Sequence, residues 1–227
     1  MRLNKWLVLA GAATSRRKAD ELIATRRIMR NGHAAEPGEQ AQPYDDITLD
    51  GENLRITSDE ARLTAFYKPR GVISSHVRQG KNNKIIADFV PLGWQHDIII
   101  GRLDRESEGL VLLTNDGGLA HRLMHPSFGV RREYLVTTQH PLNDLQISLL
   151  TDGVELEDGI SKAVKATKED GRRIRIILEE GRNRQIRRTL AELGHTVTRL
   201  VRVKHGDFSL EDLEPGEWRE LNIEVQV

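Results

Sequence analysis

A single carboxylate, Asp104, stands between Arg102 and Arg105 in the stretch Gly101–Gly117, GRLDRESEGLVLLTNDG. A carboxylate held by cations stays ionised and is ready to act as a nucleophile or a general base. Two other segments carry groups suited to the same chemistry. Tyr134, within Arg132-Glu133-Tyr134, is the first, although a tyrosine in a strand is by itself usually core. The run Gly181-Arg182-Asn183-Arg184-Gln185-Ile186-Arg187-Arg188 begins with a glycine turn and opens a helix. That spacing predicts Arg184, Arg187 and Arg188 on one face, beside backbone N–H groups that receive an anion. Such a cluster suits phosphate or carboxylate.

These groups need a scaffold, and the surrounding pattern predicts one. Ile98-Ile99-Ile100 and Leu110-Val111-Leu112-Leu113 are short apolar runs bounded by turn residues, as buried strands are, so Asp104 is expected in the connection between two core strands. Leu63 to Tyr67 reads as a strand that ends in the turn Lys68-Pro69-Arg70-Gly71. Gly118 to Met124 and Asn143 to Leu150 read as helices, the second capped by Asn143, and Glu133 to Thr138 as a strand. Lys162 to Thr167, Arg173 to Ile176 and Arg199 to Val203 alternate polar and apolar as half-exposed strands do, and Arg184 to Leu193 is an amphipathic helix. Too few helices intervene for a regular parallel sheet, so this larger part is expected to be mixed α+β with mainly antiparallel strands and flanking helices.

The first sixty residues differ. Leu3 to Leu9 is a short helical segment broken at Gly11, and Thr14 or Ser15 can cap a second helix through Lys18, Ala19, Leu22 and Ile23. Asn31-Gly32 and Asp50-Gly51 are hairpin signals, the second between Ile47-Thr48-Leu49 and Leu54-Arg55-Ile56. Trp6 reads as core rather than as a base-stacking group. A polar stretch from Thr57 to Arg62 sets the expected boundary, giving domains 1–60 and 61–227.

The formal charge of the 227 residues is zero, which taken alone argues against a nucleic-acid binder. Its distribution argues the other way, because Met1 to His33 carries a local excess of about +6. No cysteine is present, which excludes disulfides and thiolate zinc sites and fits a reducing compartment. His121 and His125 have i, i+4 spacing without the intervening glutamate of a zinc motif, and Gly117-Gly118 lacks the spacing of a phosphate loop. Neither a metal nor a cofactor is called for. No apolar run approaches twenty residues, so the expectation is a cytoplasmic protein with no membrane partner.

The head resembles a small RNA-binding domain shared by a ribosomal small-subunit protein, tyrosyl-tRNA synthetases and several RNA-modifying enzymes. Arg2-Leu3-Asn4-Lys5, the SRRKADELI run from Ser15 to Ile23 and the Asn31-Gly32 turn carry the likeness. It implies RNA backbone contacts for Arg2, Lys5, Arg16, Arg17 and Lys18, which position an RNA without reading its sequence.

The chain as a whole resembles bacterial ribosomal RNA pseudouridine synthases of the RsuA/RluB/RluF type. The matching stretches are YKPRGV at Tyr67–Val72, GRLDRESEGLVLLTNDG, REY at Arg132–Tyr134 and GRNRQIRR at Gly181–Arg188, in that order. The resemblance implies the pseudouridine synthase fold, with Asp104 as the catalytic aspartate and Tyr134 as the residue packing on the target base. It further implies that Arg187 pairs with the aspartate and that Leu200 lines the uracil pocket. Lys68, Arg102, Arg105, Arg182 and Arg184 are then expected to bind substrate, the arginines through backbone phosphates. Two positions depart from the family pattern, Tyr67 where Asn is frequent and Arg184 where His is frequent. LMHPSFGVRREY and NRQIRR look closer to large-subunit than to small-subunit members, so large-subunit ribosomal RNA, free or in an assembly intermediate, is the expected partner of a monomeric enzyme.

Isomerising uridine breaks the C1′–N1 bond, turns the uracil and rejoins it through C5, with no redox change. Asp104 can attack C1′ or take a proton at C2′, and the sequence leaves both open. Three other readings compete: action on small-subunit RNA, a non-catalytic ribosome-assembly factor, and a hydrolase pairing Asp104 with Glu106, Glu108 or Asp116.

Overall fold

In a computed structural model of the chain, all residues are described except 43, 56–60, 79, 81, 95–96 and 223–227. Contacts divide the chain into two units, Met1–Glu60 and Ala61–Val227.

The first unit has two helices, α1 (Leu3–Leu9) and α2 (Arg16–Ala24), then β1 (Ile28–Arg30), β2 (His33–Ala34), β3 (Ile47–Leu49) and β4 (Glu52–Asn53). The strands form one antiparallel sheet in the order β2-β1-β3-β4. Leu3, Trp6 and Leu7 recur at helical spacing and meet Ala19, Ile23, Ile28 and Ile47 in a buried cluster, so Trp6 is core. Ser15 Oγ accepts from Lys18 N at 3.2 Å and caps α2. Asn31-Gly32 and Asp50-Gly51 each place two left-handed residues between paired strands, the turn that matches the twist of a tight hairpin. The second hairpin corrects one expectation. Its return strand is Glu52–Asn53 rather than Leu54–Ile56, because a two-residue turn starts the ladder at the next residue. Leu54 N still donates to Ile47 O at 2.8 Å, and Ile56 lies outside the described residues.

The second unit runs β5 (Leu63–Lys68), β6 (Ile98–Ile100), β7 (Glu108–Thr114), α3 (Gly117–Met124), β8 (Arg132–Thr138), α4 (Asp144–Asp152), β9 (Val154–Leu156) and β10 (Gly159–Ser161). It continues with β11 (Lys165–Asp170), β12 (Arg173–Leu178), α5 (Gln185–Glu192), β13 (Val197–His205), β14 (Phe208–Ser209) and β15 (Trp218–Leu221). One sheet follows the order β11-β12-β8-β13-β7-β5-β15, with β14 on β13 and β6 on β7, while β9 and β10 form a separate hairpin. The sheet is mixed and mainly antiparallel, β13 and β7 being its parallel pair among the described residues.

Leu110 and Leu112 of β7 pack with Leu119, Ala120 and Leu123 of α3 on one face. Val111 and Leu113 pack with Leu150 of α4 and with Ile186 and Leu190 of α5 in the core on the other. Burial on both faces explains why β7 reads as an uninterrupted apolar run. The run before Asp104 is different: Ile98 is 37% exposed while Ile100 is fully buried. The expectation of two core strands therefore holds for β7 only, since β6 is an edge strand with one partner. The strand expected at Lys162–Thr167 lies at Lys165–Asp170, because Ala163 turns inward to the core between β10 and β11.

The edges of β7 determine where chemistry sits. β5 takes one edge along Gly109–Thr114, whereas β13 pairs with Glu108 and Gly109 and β6 with Leu112–Thr114 on the other. The 101–107 connection leaves the sheet where β13 and β6 meet end to end.

Candidate active site

Asp104 occupies a connection whose backbone is pinned along its length. Ser74 Oγ donates to Leu103 O at 2.7 Å and accepts from Leu103 N at 3.0 Å. Gly71 N donates to Arg105 O at 2.7 Å, Arg105 Nε returns a bond to Gly71 O at 3.3 Å, and Ser107 N donates to Asp104 O at 3.0 Å. Arg187 Nη2 reaches Glu106 O at 3.3 Å, and Arg202 Nη2 donates to Gly101 O. Leu103 is buried in the core as a peg, which adds an apolar anchor to these bonds. The Asp104 side chain remains one-third exposed.

It faces a cleft of about 690 Å³ lined by Tyr134, Leu200, Ile73, Ser74 and Ile186 together with the arginines Arg102, Arg105, Arg132, Arg182, Arg184 and Arg202. Asp104 is the single carboxylate in that lining. Tyr134 and Leu200 are each mostly buried, at 8% and 6% exposure, so their faces form a firm wall. Six guanidiniums around one acid make a field that gathers a polyanion, and the buried phenol ring and leucine suit a flat base. Glu106, Glu108 and Asp116 do not line the cleft. Glu108 is an ion-pair partner of Arg199 at 2.5 Å, and Asp116 caps α3, so neither is placed as a second acid. A second cleft of about 480 Å³, beside Phe128 and Phe208, shares no lining residue with the first.

Several expected placements change. The cation at ion-pair distance from Asp104 is Arg184, with Nη1 3.9 Å from Oδ2, and not Arg187. Arg184 precedes α5 in the left-handed conformation, φ 48°, and also bridges to Glu106 at 3.3 Å. Arg187, one turn into the helix, donates to Val197 O at 3.2 Å and to Glu106 O instead. Burial lowers its pKa and so does Arg184, with Glu106 and Asp104 opposing, so it feels the carboxylate without pairing with it. Arg188 does not line the cleft and is taken up in a two-pronged pair with Asp158 at 2.8 Å. Arg182 borders the cleft, but its guanidinium binds the carbonyls of Gly159 and Ile160 and the carboxylate of Glu180.

Lys68 lies outside the cleft altogether. It is fully buried in β5, and its Nζ donates to Pro69 O at 2.9 Å and Val72 O at 2.7 Å, bracing the turn against which the Asp104 connection rests. Burial pushes its pKa down to about 8, with Glu108 and Asp104 pulling upward. Tyr67 is likewise buried, and burial raises its phenol. Sequence reasoning missed Ser74, Arg132 and Arg202. Strand alternation offered a signal for Arg202, which shares the parity of Leu200.

In the first unit Arg16 donates to Asn4 Oδ1 at 3.2 Å and Lys18 pairs with Glu21 at 2.6 Å, while Arg2, Lys5 and Arg17 are exposed. His121 and His125 stack at 5.0 Å, and no group of three potential ligands for a metal occurs among the described residues.

Residues 62–192 match the model of the RNA pseudouridylate synthase family, and residues 1–47 match that of the S4 domain. The ribosomal large subunit pseudouridine synthase B of Bacillus subtilis is 37% identical over 97% of this chain and 91% of its own length. Its Vibrio vulnificus namesake is 36% identical over 98% of this chain and 72% of its own length, and the dual-specificity RNA pseudouridine synthase RluF of Escherichia coli O6:H1 is 36% identical over 97% and 75%. A crystal structure of a pseudouridylate synthase superposes with a TM-score of 0.70 at 30% identity, covering 98% of this chain and 96% of that one. The chain belongs to the RNA pseudouridylate synthase family, carrying an S4 domain ahead of the synthase domain.

Proposed function

We propose that this synthase isomerises a uridine of large-subunit ribosomal RNA, with Asp104 as its reacting carboxylate. The observation that carries the reading is the lone acid in a cleft otherwise lined by six arginines, Tyr134 and apolar groups. A uridine in folded RNA has to leave its stack to reach Asp104, at a cost of a few kcal/mol. Stacking on Tyr134 offsets roughly 1–3 kcal/mol of it, and Leu200 adds apolar contact from the same wall. Asp104 then acts at the ribose, as nucleophile at C1′ or base at C2′. Arg184, at ion-pair distance, orients the carboxylate.

Arg102, Arg105 and Arg132 receive phosphates flanking the target, being the cleft arginines whose guanidiniums are least engaged. The basic head, through Arg2, Lys5, Arg16, Arg17 and Lys18, holds the RNA by its backbone. The large-subunit assignment rests on the similarity to synthases B of two bacteria. Among the described residues no helix is long and apolar enough to cross a membrane; the ribosomal RNA substrate named for its relatives is what supports a cytoplasmic enzyme.

The test uses unmodified large- and small-subunit ribosomal RNA transcripts, incubated with wild-type enzyme and Asp104→Asn and mapped chemically for pseudouridine. Wild-type enzyme is expected to modify the large-subunit transcript, and the variant to be slower by roughly 10²–10⁴-fold or more. Full activity in the variant would remove Asp104 from its role, and modification of the small-subunit transcript alone would reassign the substrate.

A further inference from the structure

We infer that Arg202 is a positioning residue that holds the Asp104 connection and the Tyr134 platform in fixed relation; the inference rests on Asp104 being the reacting carboxylate. Arg202 is 1% exposed and has no carboxylate partner among the described residues, a costly way to bury a charge. Its guanidinium is spent on backbone: Nε donates to Leu110 O at 2.7 Å and Nη2 to Gly101 O. Those two carbonyls lie on either side of the segment bearing Asp104. Across the β8–β13 ladder Arg202 stands opposite Tyr134, whose phenol is a polar neighbour of the buried guanidinium.

The two glycines bounding the segment are fitted to the same residue. At Gly101, φ +69°, a Cβ would lie 2.7 Å from His205 Cε1 and 3.1 Å from Arg202 Nη1. At Gly109, φ +109°, it would overlap the Arg202 carbonyl and lie 2.6 Å from its nitrogen. One end therefore closes on the Arg202 side chain and the other on its backbone. Reaching two carbonyls while keeping contact with the phenol needs a planar fork of several N–H donors, which an ammonium does not provide. With 1% of Arg202 exposed and its bonds made to backbone on both sides of the segment, the residue acts by fixing where carboxylate and stacking face stand.

The test compares wild-type enzyme, Arg202→Lys, Tyr134→Phe, the double variant and Asp104→Asn on unmodified large-subunit ribosomal RNA, with thermal melts alongside. Arg202→Lys is expected to lower kcat by roughly 10²-fold with KM within about twofold, the cost of an ångström-scale misplacement. The Tyr134→Phe loss is expected to be smaller in the Arg202→Lys background than in wild type. For Arg202→Ala, millimolar methylguanidinium is expected to restore part of kcat, where methylammonium does not. A wild-type kcat in Arg202→Lys, strictly multiplicative losses in the double variant, or losses that track the melting temperature without methylguanidinium rescue would each overturn the inference. If Asp104→Asn itself stays active, the reading of the site fails first; if Asp104→Asn is dead and Arg202→Lys is not, only the role of Arg202 falls.

Discussion

Arg184 and Arg187 sit three positions apart and do different work. Arg184 is half-exposed and spans the mouth of the cleft to Asp104 and Glu106. Arg187 is more deeply placed and serves backbone carbonyls of the 101–107 connection and of β13. Removing an exposed cation seldom costs stability, whereas removing a partly buried donor leaves carbonyls unsatisfied at about 1–3 kcal/mol. Arg184→Gln is therefore expected to lower kcat about tenfold with little change in melting temperature, by analogy with other preorganised electrostatic contacts. Arg187→Gln is expected to lower the melting temperature as well. Turnover and thermal melts on the two variants check this, and a reversed pattern would return the pairing role to Arg187. The family pattern alone pointed to Arg187 because it ranks residues by type and spacing, and the left-handed turn at Arg184 is visible only in the backbone.

Among the elements, β7 is the one on which the site depends. Its Glu108–Gly109 end pairs with β13, its Leu112–Thr114 end with β6, and its opposite edge with β5. At Gly109 β7 is paired on both edges, facing Lys68 on one side and Arg202 on the other. Gly109→Ala is expected to destabilise the fold by about 2–5 kcal/mol, from overpacking against a backbone that cannot yield and from a side chain in a strained φ. Urea denaturation measures it, and a change below 1 kcal/mol would show that β13 can shift without loss. The apolar run Leu110–Leu113 announced β7 because burial on both faces removes the usual alternation. The same logic overstated Ile98–Ile100, where being an edge strand leaves Ile98 facing water.

At the scale of the whole molecule, the buried bases give stability a characteristic dependence on pH. His205 is fully enclosed, with Nε2 3.0 Å from Leu123 O, and burial aided by Arg202 depresses its pKa from 6.5 to about 3. Between those values the unfolded chain holds the additional proton, so the stability His205 contributes is complete above 6.5 and drains as pH falls towards 3. Each unit of that window is worth at most about 1.4 kcal/mol. Lys68, depressed from 10.5 to about 8, makes stability rise between those values by the same rule. His205→Asn is expected to flatten the acid limb of a stability–pH curve measured by urea denaturation. An unchanged limb would mean that His205 keeps its proton in the fold.

The amino-acid sequence by itself determined the division near residue 60, most helices and strands, and the three segments that supply Asp104, Tyr134 and the arginine run. Those features are local: capping residues, hairpin dipeptides, apolar periodicity and contiguous motifs are written in neighbouring positions. Only the tertiary structure decided which arginine meets Asp104, that Lys68 braces a turn, that Arg182 and Arg188 are taken up by the β9–β10 side of the domain, and that Arg202 joins both ends of the Asp104 segment. Apart from the Lys68 bonds, which span at most four residues, those contacts link residues far apart in the chain, such as Arg202 with Gly101 and Leu110. A guanidinium has the same composition whether it faces phosphate, carboxylate or carbonyl, and the packing of the sheet around β7 is what chooses among them.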